Sequence, residues 1–171
     1  MLEGVIDAEN FESGWQHSSS YSGVALSDKT CNASATGFLM DGRILVERAQ
    51  LIAQQHRITY DTPIDMISLV KDIANLKQAY TQFGGARPFG VSILFGGVDD
   101  NGDGGEPKLF LTDPTGIFFE FKATVIGENE PEIREILEKE YNVDLGVKGT
   151  MKLGVYLKQK GYPSLAKMLR R

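Results

Sequence analysis

The sequence predicts an α+β domain built from packed layers of helix and sheet. Three observations predict it. Apolar residues recur at helical spacing from Asp41 to Arg57 and again from Asp61 to Phe83, the period changes to two from Phe89, and helical spacing returns after Asn129. Helices followed by strands followed by helices is the order of a layered α+β chain. At 171 residues it fits one domain, large enough to bury a core without disulfides.

The elements follow in order. Residues 1–20 are polar, end in Ser18-Ser19-Ser20, and read as an irregular arm or a weak first element. Tyr21–Ser27 and Thr30–Ala35 read as two short strands around a turn at Asp28-Lys29. The helix from Asp41 to Arg57 places Leu45, Arg48, Ala49, Ile52, Ala53 and His56 on one face, whose small residues allow close packing. A short loop then leads to a second helix, so the two are expected to form an antiparallel pair.

The second helix is the best-marked element. Thr62 is the expected N-cap, with Pro63 at the first helical position and Asp65 reaching back as in a capping box. Met66, Leu69, Val70, Ile73, Leu76, Tyr80 and Phe83 draw one apolar stripe, and Gly84-Gly85 ends it. Phe89, Val91, Ile93 and Phe95 then alternate, predicting a strand over 89–98. A glycine-rich turn leads to Lys108–Thr112. Asp113-Pro114-Thr115-Gly116 is a tight turn, and Ile117–Phe121 and Ala123–Ile126 continue a meander. A third helix from Asn129 buries Ile133, Ile136, Leu137 and Tyr141, and a fourth, weakened by Gly149 and Gly154, spans 147–160.

Charge and composition exclude some functions. The net charge is -5, yet seven of the 18 basic residues follow Asp144 and no acidic residue does. An acidic body argues against nucleic acid as a partner, and the basic end reads as a solvated face. No apolar run approaches the roughly 20 residues that span a bilayer. The opening MLEGVIDAENFES has neither the basic start nor the apolar core of a signal peptide. One cysteine, Cys31, precludes an internal disulfide and suits a reducing compartment.

No catalytic or metal-binding constellation is visible. Asp99-x-Asn101-x-Asp103-Gly104 matches the start of a calcium loop, but the twelfth position, which needs a bidentate Glu, is Phe110. The loop therefore reads as a solvated hairpin turn. Nucleophilic catalysis needs a base beside the nucleophile, and the two histidines, His17 and His56, fall in the arm and on a helix face. Cys31 reads as a small buried hydrophobe. HExxH, the P-loop and GxGxxG do not occur.

One resemblance adds to this. GFLMDGRILVERAQLIAQQHR at Gly37–Arg57 resembles a proteasome α subunit, which has a glycine, an Asp four residues on and an Arg two further. The similarity continues through Tyr60, Pro63, YTQFGGARPFGVS at Tyr80–Ser92, FGGVD at Phe95–Asp99, TDPTG at Thr112–Gly116, FKATVIG at Phe121–Gly127 and LEKEY at Leu137–Tyr141. It covers roughly residues 22–155 and is most like the archaeal α type. The signature residues are Gly37, Asp41, Arg43, Tyr80, Gly85, Arg87, Pro88, Gly90, Asp113 and Gly116. Their expected roles are structural, with Arg43 bridging the helix start and Asp113 shaping its turn.

The resemblance implies the four-layer αββα sandwich of N-terminal-nucleophile hydrolases. It also implies a non-catalytic place in a seven-membered α ring, with other α subunits and the β ring as partners and a regulatory ATPase as a further one. Proteolysis in that family belongs to β subunits that begin with a mature Thr; here Gly149-Thr150 resembles the processing junction only as a dipeptide. No cofactor or metal is implied, and the compartment would be the cytoplasm, with the nucleus added in a eukaryote. The chain divides into an arm at 1–20, the α-type domain at 21–161 and a basic tail at 162–171.

Departures from the pattern shape the remaining expectations. The family's amino-terminal helix, gate segment and first two strands are not recognisable in the opening residues, nor are its final strands and helix after Gly161. One sheet should therefore be almost empty, leaving the third and fourth helices without a partner layer. In the activator pocket, Gly37 and Phe38 remain, but the lysine expected fourteen residues earlier is Gly23. The alternative reading is a truncated or divergent family fragment, an interaction protein that forms no ring.

Overall fold

The computed structural model describes residues 6–7, 24–27, 31–99, 105–127, 130–142, 149, 152–154 and 156–157. Strands β1 (Ile6–Asp7), β2 (Val24–Ser27) and β3 (Cys31–Gly37) precede two helices, α1 (Leu39–Tyr60) and α2 (Met66–Gln82). Strands β4 (Val91–Asp99), β5 (Glu106–Thr112), β6 (Phe118–Glu120) and β7 (Ala123–Thr124) come next, followed by helix α3 (Glu130–Glu140).

Five strands form one antiparallel sheet in the order β2-β3-β4-β5-β6, with Ala33 opposite Phe95, Phe95 opposite Phe110 and Leu111 opposite Phe119. Sequential neighbours pair throughout, which is the meander expected. Strands β2 and β3 stand where two short strands were expected, at Tyr21–Ser27 and Thr30–Ala35; the turn predicted at Asp28-Lys29 lies outside the described residues.

One face of this sheet carries α1 and α2. Cys31, Ala33 and Ala35 of β3 and Val91, Ile93 and Phe95 of β4 point toward them, meeting Leu45, Val46 and Ala49 of α1 and Met66, Leu69, Val70 and Ile73 of α2. Small side chains on β3 let α1 approach closely: a Cβ on Gly42 would lie 3.0 Å from the Cβ of Ala35. Leu45, Leu69, Ile73 and Phe95 are each at most 1% exposed, and burying one such side chain is worth roughly 1.5–3 kcal/mol. Most of the stabilisation therefore lies in this layer. Arg48, expected on the packing face, is exposed, because the buried face turns through Val46 instead.

The start of α2 differs from expectation. Its N-cap is Asp65, whose carboxylate accepts the Ser68 N–H at 3.1 Å, and Thr62 and Pro63 lie in the preceding loop. A carboxylate is the stronger acceptor at a helix N-terminus. It is joined by Asp99 of β4, which accepts the Met66 N–H at 2.9 Å. At the other end the helix stops at Gln82 with Phe83 extended and exposed, so the buried stripe ends at half-buried Tyr80.

The opposite sheet face buries Leu94, Leu109 and Leu111 against Ile126 and Phe121. Here the meander stops short of its predicted fourth strand: β7 leaves the sheet and pairs antiparallel with β1, Ile6 opposite Thr124 and Asp7 opposite Ala123. Two residues of the segment read as irregular thus form a second, two-stranded sheet. Val125, just beyond β7, packs with Ile133 and Leu137 of α3 and with Leu157, while Ile136 and Tyr141 are half-buried around them. Residues 149, 152–154 and 156–157 are helical, within the span expected for a fourth helix. Helix α3 is accordingly not without a partner layer; the segment after β7 and Leu153 and Leu157 provide one.

Candidate functional site

Most of the signature residues gather at two junctions, one at the N-terminus of α1 and one against the middle of α2. The first is the N-terminus of α1. Gly37 has φ +116°, and a Cβ there would sit 2.4 Å from the Gly90 carbonyl oxygen, so only glycine fits. The chain then turns at Phe38, whose N–H donates to that same carbonyl at 2.9 Å. Phe38 offers no side-chain cap to the helix. Asp41 in the first turn faces the other way and takes on the loop before β4.

Asp41 is buried and fully engaged. Arg87 donates to both its oxygens at 2.6 Å, in the parallel two-bond geometry of guanidinium and carboxylate, and the Gly90 N–H donates at 2.9 Å. The Arg87 hydrogen bonds hold the Asp41 carboxyl below the usual carboxylate range, against the upward push of burial and with further help from Gly90. The acid also sits where the helix dipole favours negative charge. The Arg87 guanidinium, largely exposed, lies 5.4 Å above the Phe38 ring and also donates to the Pro88 carbonyl at 3.2 Å. A Cβ on Gly90 would lie 2.3 Å from the exposed Phe38 ring, so a side chain there would displace that ring from beneath Arg87.

The arrangement ties a loop to a helix. Arg43, expected to bridge the helix start, instead makes an exposed pair along α1 with Glu47 at 3.7 Å, and Arg87 does the bridging. Tyr80 packs on Phe89 with ring centroids 4.6 Å apart, fastening the far side of the same loop to α2. Gly85 has φ +92° in open space. It serves the turn alone.

The second junction joins α2 to the turn after β5. The Gly116 N–H donates to the Asp113 carbonyl at 3.0 Å, and the Asp113 N–H to the Ile117 carbonyl at 2.8 Å. Gly116 has φ +88° and abuts the α2 backbone, where a Cβ would lie 2.6 Å from the Ala74 carbonyl oxygen and 2.8 Å from the Gln78 nitrogen.

Beneath this turn lies a residue that sequence reasoning passed over. Lys77 of α2 is 0% exposed, and its Nζ donates to Thr112 Oγ1 at 2.7 Å and to the carbonyls of Val91, Thr112 and Asp113 at 3.1, 3.2 and 3.4 Å. Burial pushes its pKa down to about 7, against the opposing charge of Asp113. The available signal was its spacing: Val70, Ile73, Lys77 and Tyr80 keep helical register, so a lysine occupies a core-facing position. Nothing in the local sequence marked Asp99 as a cap for a helix thirty-three residues away.

Other candidates are placed as follows. Of the calcium-like loop, Asp99 commits a carboxylate oxygen to α2, and residues 101–104 lie outside the described residues, as does Gly23. Among the described residues no group of His, Cys, Asp and Glu could hold a metal ion. Burial and the charge of Asp99 push the Cys31 thiol up to about 12, which leaves it inert as a nucleophile. His56 Nδ1 lies 3.1 Å from the Thr62 carbonyl, to which it donates, beside Tyr60. Among the described residues, no helix is long and apolar enough to cross a membrane.

The proteasome subunit family model matches residues 18–156, a span that includes both junctions. The chain is 46% identical over 128 residues to the proteasome subunit alpha of Archaeoglobus fulgidus, covering 75% of this chain and 50% of that protein. It is 48% identical over 128 residues to that of Pyrobaculum aerophilum, covering 75% and 51%, and 41% identical over 155 residues to that of Thermococcus onnurineus, covering 90% and 58%. It thus spans about half the length of the curated relatives it matches. A family match over most of the chain, together with this identity, is decisive: the chain belongs to the proteasome subunit family.

Proposed function

We propose that the chain acts as a non-catalytic, α-type structural subunit of the proteasome core particle, serving ring assembly and substrate entry in protein degradation. The observation that carries the reading is the 46% identity to an α subunit over 128 residues, beside a family match at residues 18–156 that contains Gly37, Asp41, Arg87, Gly90 and Gly116. The chemistry of those residues supports it. Asp41 gives its oxygens to Arg87 and Gly90, and the glycines permit close backbone contacts, so the junctions carry load between elements. Cys31 is unsuited to attack.

In this reading the αββα sandwich is the complete architecture, with the β1–β7 pair as the reduced second sheet. Its partners are other α subunits and the β ring, in the cytoplasm. The run of α-subunit relatives supports this over a non-ring-forming interaction protein. Co-expression with a β subunit, followed by native mass spectrometry, should yield seven-fold rings; a folded monomer at micromolar concentration beside unassembled β subunit would overturn it.

A regulatory ATPase is the expected partner at the α face, with one qualification from the sequence. Gly37 and Phe38 remain at the activator pocket, but Gly23 offers no cation for a tail carboxylate. Tail-dependent stimulation should therefore be weak or absent. Strong stimulation by an ATPase tail peptide, lost when its terminal carboxylate is amidated, would refute this.

A further inference from the structure

Lys77 stands apart from the assembly role. Its four oxygen partners are all neutral: three main-chain carbonyls and the Thr112 hydroxyl. Asp113 contributes its carbonyl to this cage, and only the field of its carboxylate reaches the amine. A fully buried ammonium without a bonded counter-ion is costly. The shortest contact, 2.7 Å, is to the one group of the cage that can also donate, since the Thr112 hydroxyl now gives its proton to the Ile93 carbonyl at 3.2 Å. Rotation of that hydroxyl turns it toward Nζ, where it donates to the lone pair of a neutral amine. The cage thus accommodates the uncharged form, its two N–H donors shared among the three carbonyls and its lone pair accepting from Thr112, at the expense of the hydroxyl's bond to the Ile93 carbonyl.

We propose that Lys77 is a proton-sensitive joint: as the neutral amine it clamps α2 to the end of β5 and its turn, and protonation loosens that clamp. The elements it joins are in close contact beside it, since Gly116 rests directly on the α2 backbone at Ala74 and Gln78. The groups around it from each packed element leave the proton to Lys77. Its bonded partners come from β4, from β5 and from the turn after β5, and none of those oxygens carries a charge. Cys31 stays neutral below about 12. At the far end of β4, Asp99 is occupied with Met66. Glu120 pairs with Lys108 on the surface, and Asp113 is the acid that acts on Lys77.

The sign follows from linkage. In the closed joint Lys77 titrates near 7, and when opened to water at about 10.4. The open form binds protons more tightly, so acid favours opening, increasingly as pH falls from about 10.4 to about 7, and no further below that.

The test is nuclear magnetic resonance on the full 171-residue chain from pH 5.5 to 10. The Lys77 side chain should show a midpoint near 7, and the Asp113 and Gly116 amides should shift with the same midpoint. Hydrogen-exchange protection of Gly116, corrected for intrinsic rate, should fall by up to about tenfold per pH unit between 10 and 7 and then level. In Lys77→Met the pH dependence should vanish; in Lys77→Arg protection should be low at every pH. A Lys77 midpoint above 10, pH-independent Gly116 protection in the wild type, or an unchanged profile in Lys77→Met each overturns the proposal. The wild-type titration decides alone where a variant does not fold.

Discussion

Three glycines that look alike in the sequence should respond to alanine in three different ways. At Gly116 the new Cβ faces two penalties. The φ of +88° places alanine in the left-handed region, costing roughly 1–2 kcal/mol. The Cβ would also press to 2.6 Å from the Ala74 carbonyl oxygen and 2.8 Å from the Gln78 nitrogen, both in the α2 backbone, where relief means moving a helix. Overpacking of this kind costs roughly 1–3 kcal/mol more. Gly116→Ala should therefore destabilise by about 2–5 kcal/mol. Gly85→Ala shares the positive φ, +92°, but meets nothing within 4 Å, and should lose only the roughly 1–2 kcal/mol conformational part. Gly84→Ala has neither penalty and should be neutral or slightly stabilising through the unfolded chain. Urea unfolding followed by circular dichroism measures all three on one scale. Equal losses at Gly116 and Gly85 would refute the contact between turn and helix, and a neutral Gly116→Ala would refute the turn itself.

Further outcomes follow from the same geometry. Relative to Lys77→Met, the wild type should gain stability as pH rises from about 7 toward 10, by at most about 1.4 kcal/mol per pH unit; a difference that is constant or shrinks with pH in urea melts would contradict the lowered Lys77 value. Asp41→Ala leaves the Gly90 N–H without its acceptor, for a cost of about 1–3 kcal/mol, and loss of the Asp41 stabilisation should appear in the wild type too as acid protonates the carboxylate below its ordinary range. A variant as stable as the wild type by thermal melting would show the loop held by other means. Cys31 should resist a thiol reagent at pH 8 in the folded protein and react at once in denaturant; rapid labelling of the native chain would place it on the surface.

Much of the main layer was legible because burial there imposes a period. Met66, Leu69, Val70 and Ile73 at helical spacing and Val91, Ile93 and Phe95 at alternate positions each meet the same core, and the pattern is its imprint. Cross-chain decisions left no such trace. Whether Thr62 or Asp65 caps α2 depended on Asp99 arriving from β4, and the departure of β7 from the meander depended on Ile6 and Asp7. Lys77 was hidden for a related reason. Its polarity argues for the surface, and only three carbonyls and a hydroxyl brought from other strands make its burial tolerable. Of the α1 junction, Gly37, Asp41, Arg87 and Gly90 were visible as a signature, but that Arg87 rather than Arg43 meets Asp41 is a fact of the loop's path.

The pairing of β1 with β7 has a kinetic side. It brings together residues more than a hundred positions apart for the sake of two-residue strands, so the entropy of closing that loop is repaid by very few contacts. The β3–β4–β5–β6 meander with α1 and α2 closes only through shorter connections and buries the larger core. Folding should begin there, with the second sheet joining after the rate-limiting step. Substitutions in β1 should accordingly leave the folding rate unchanged and speed unfolding, which makes this small sheet the natural governor of how long the native chain persists.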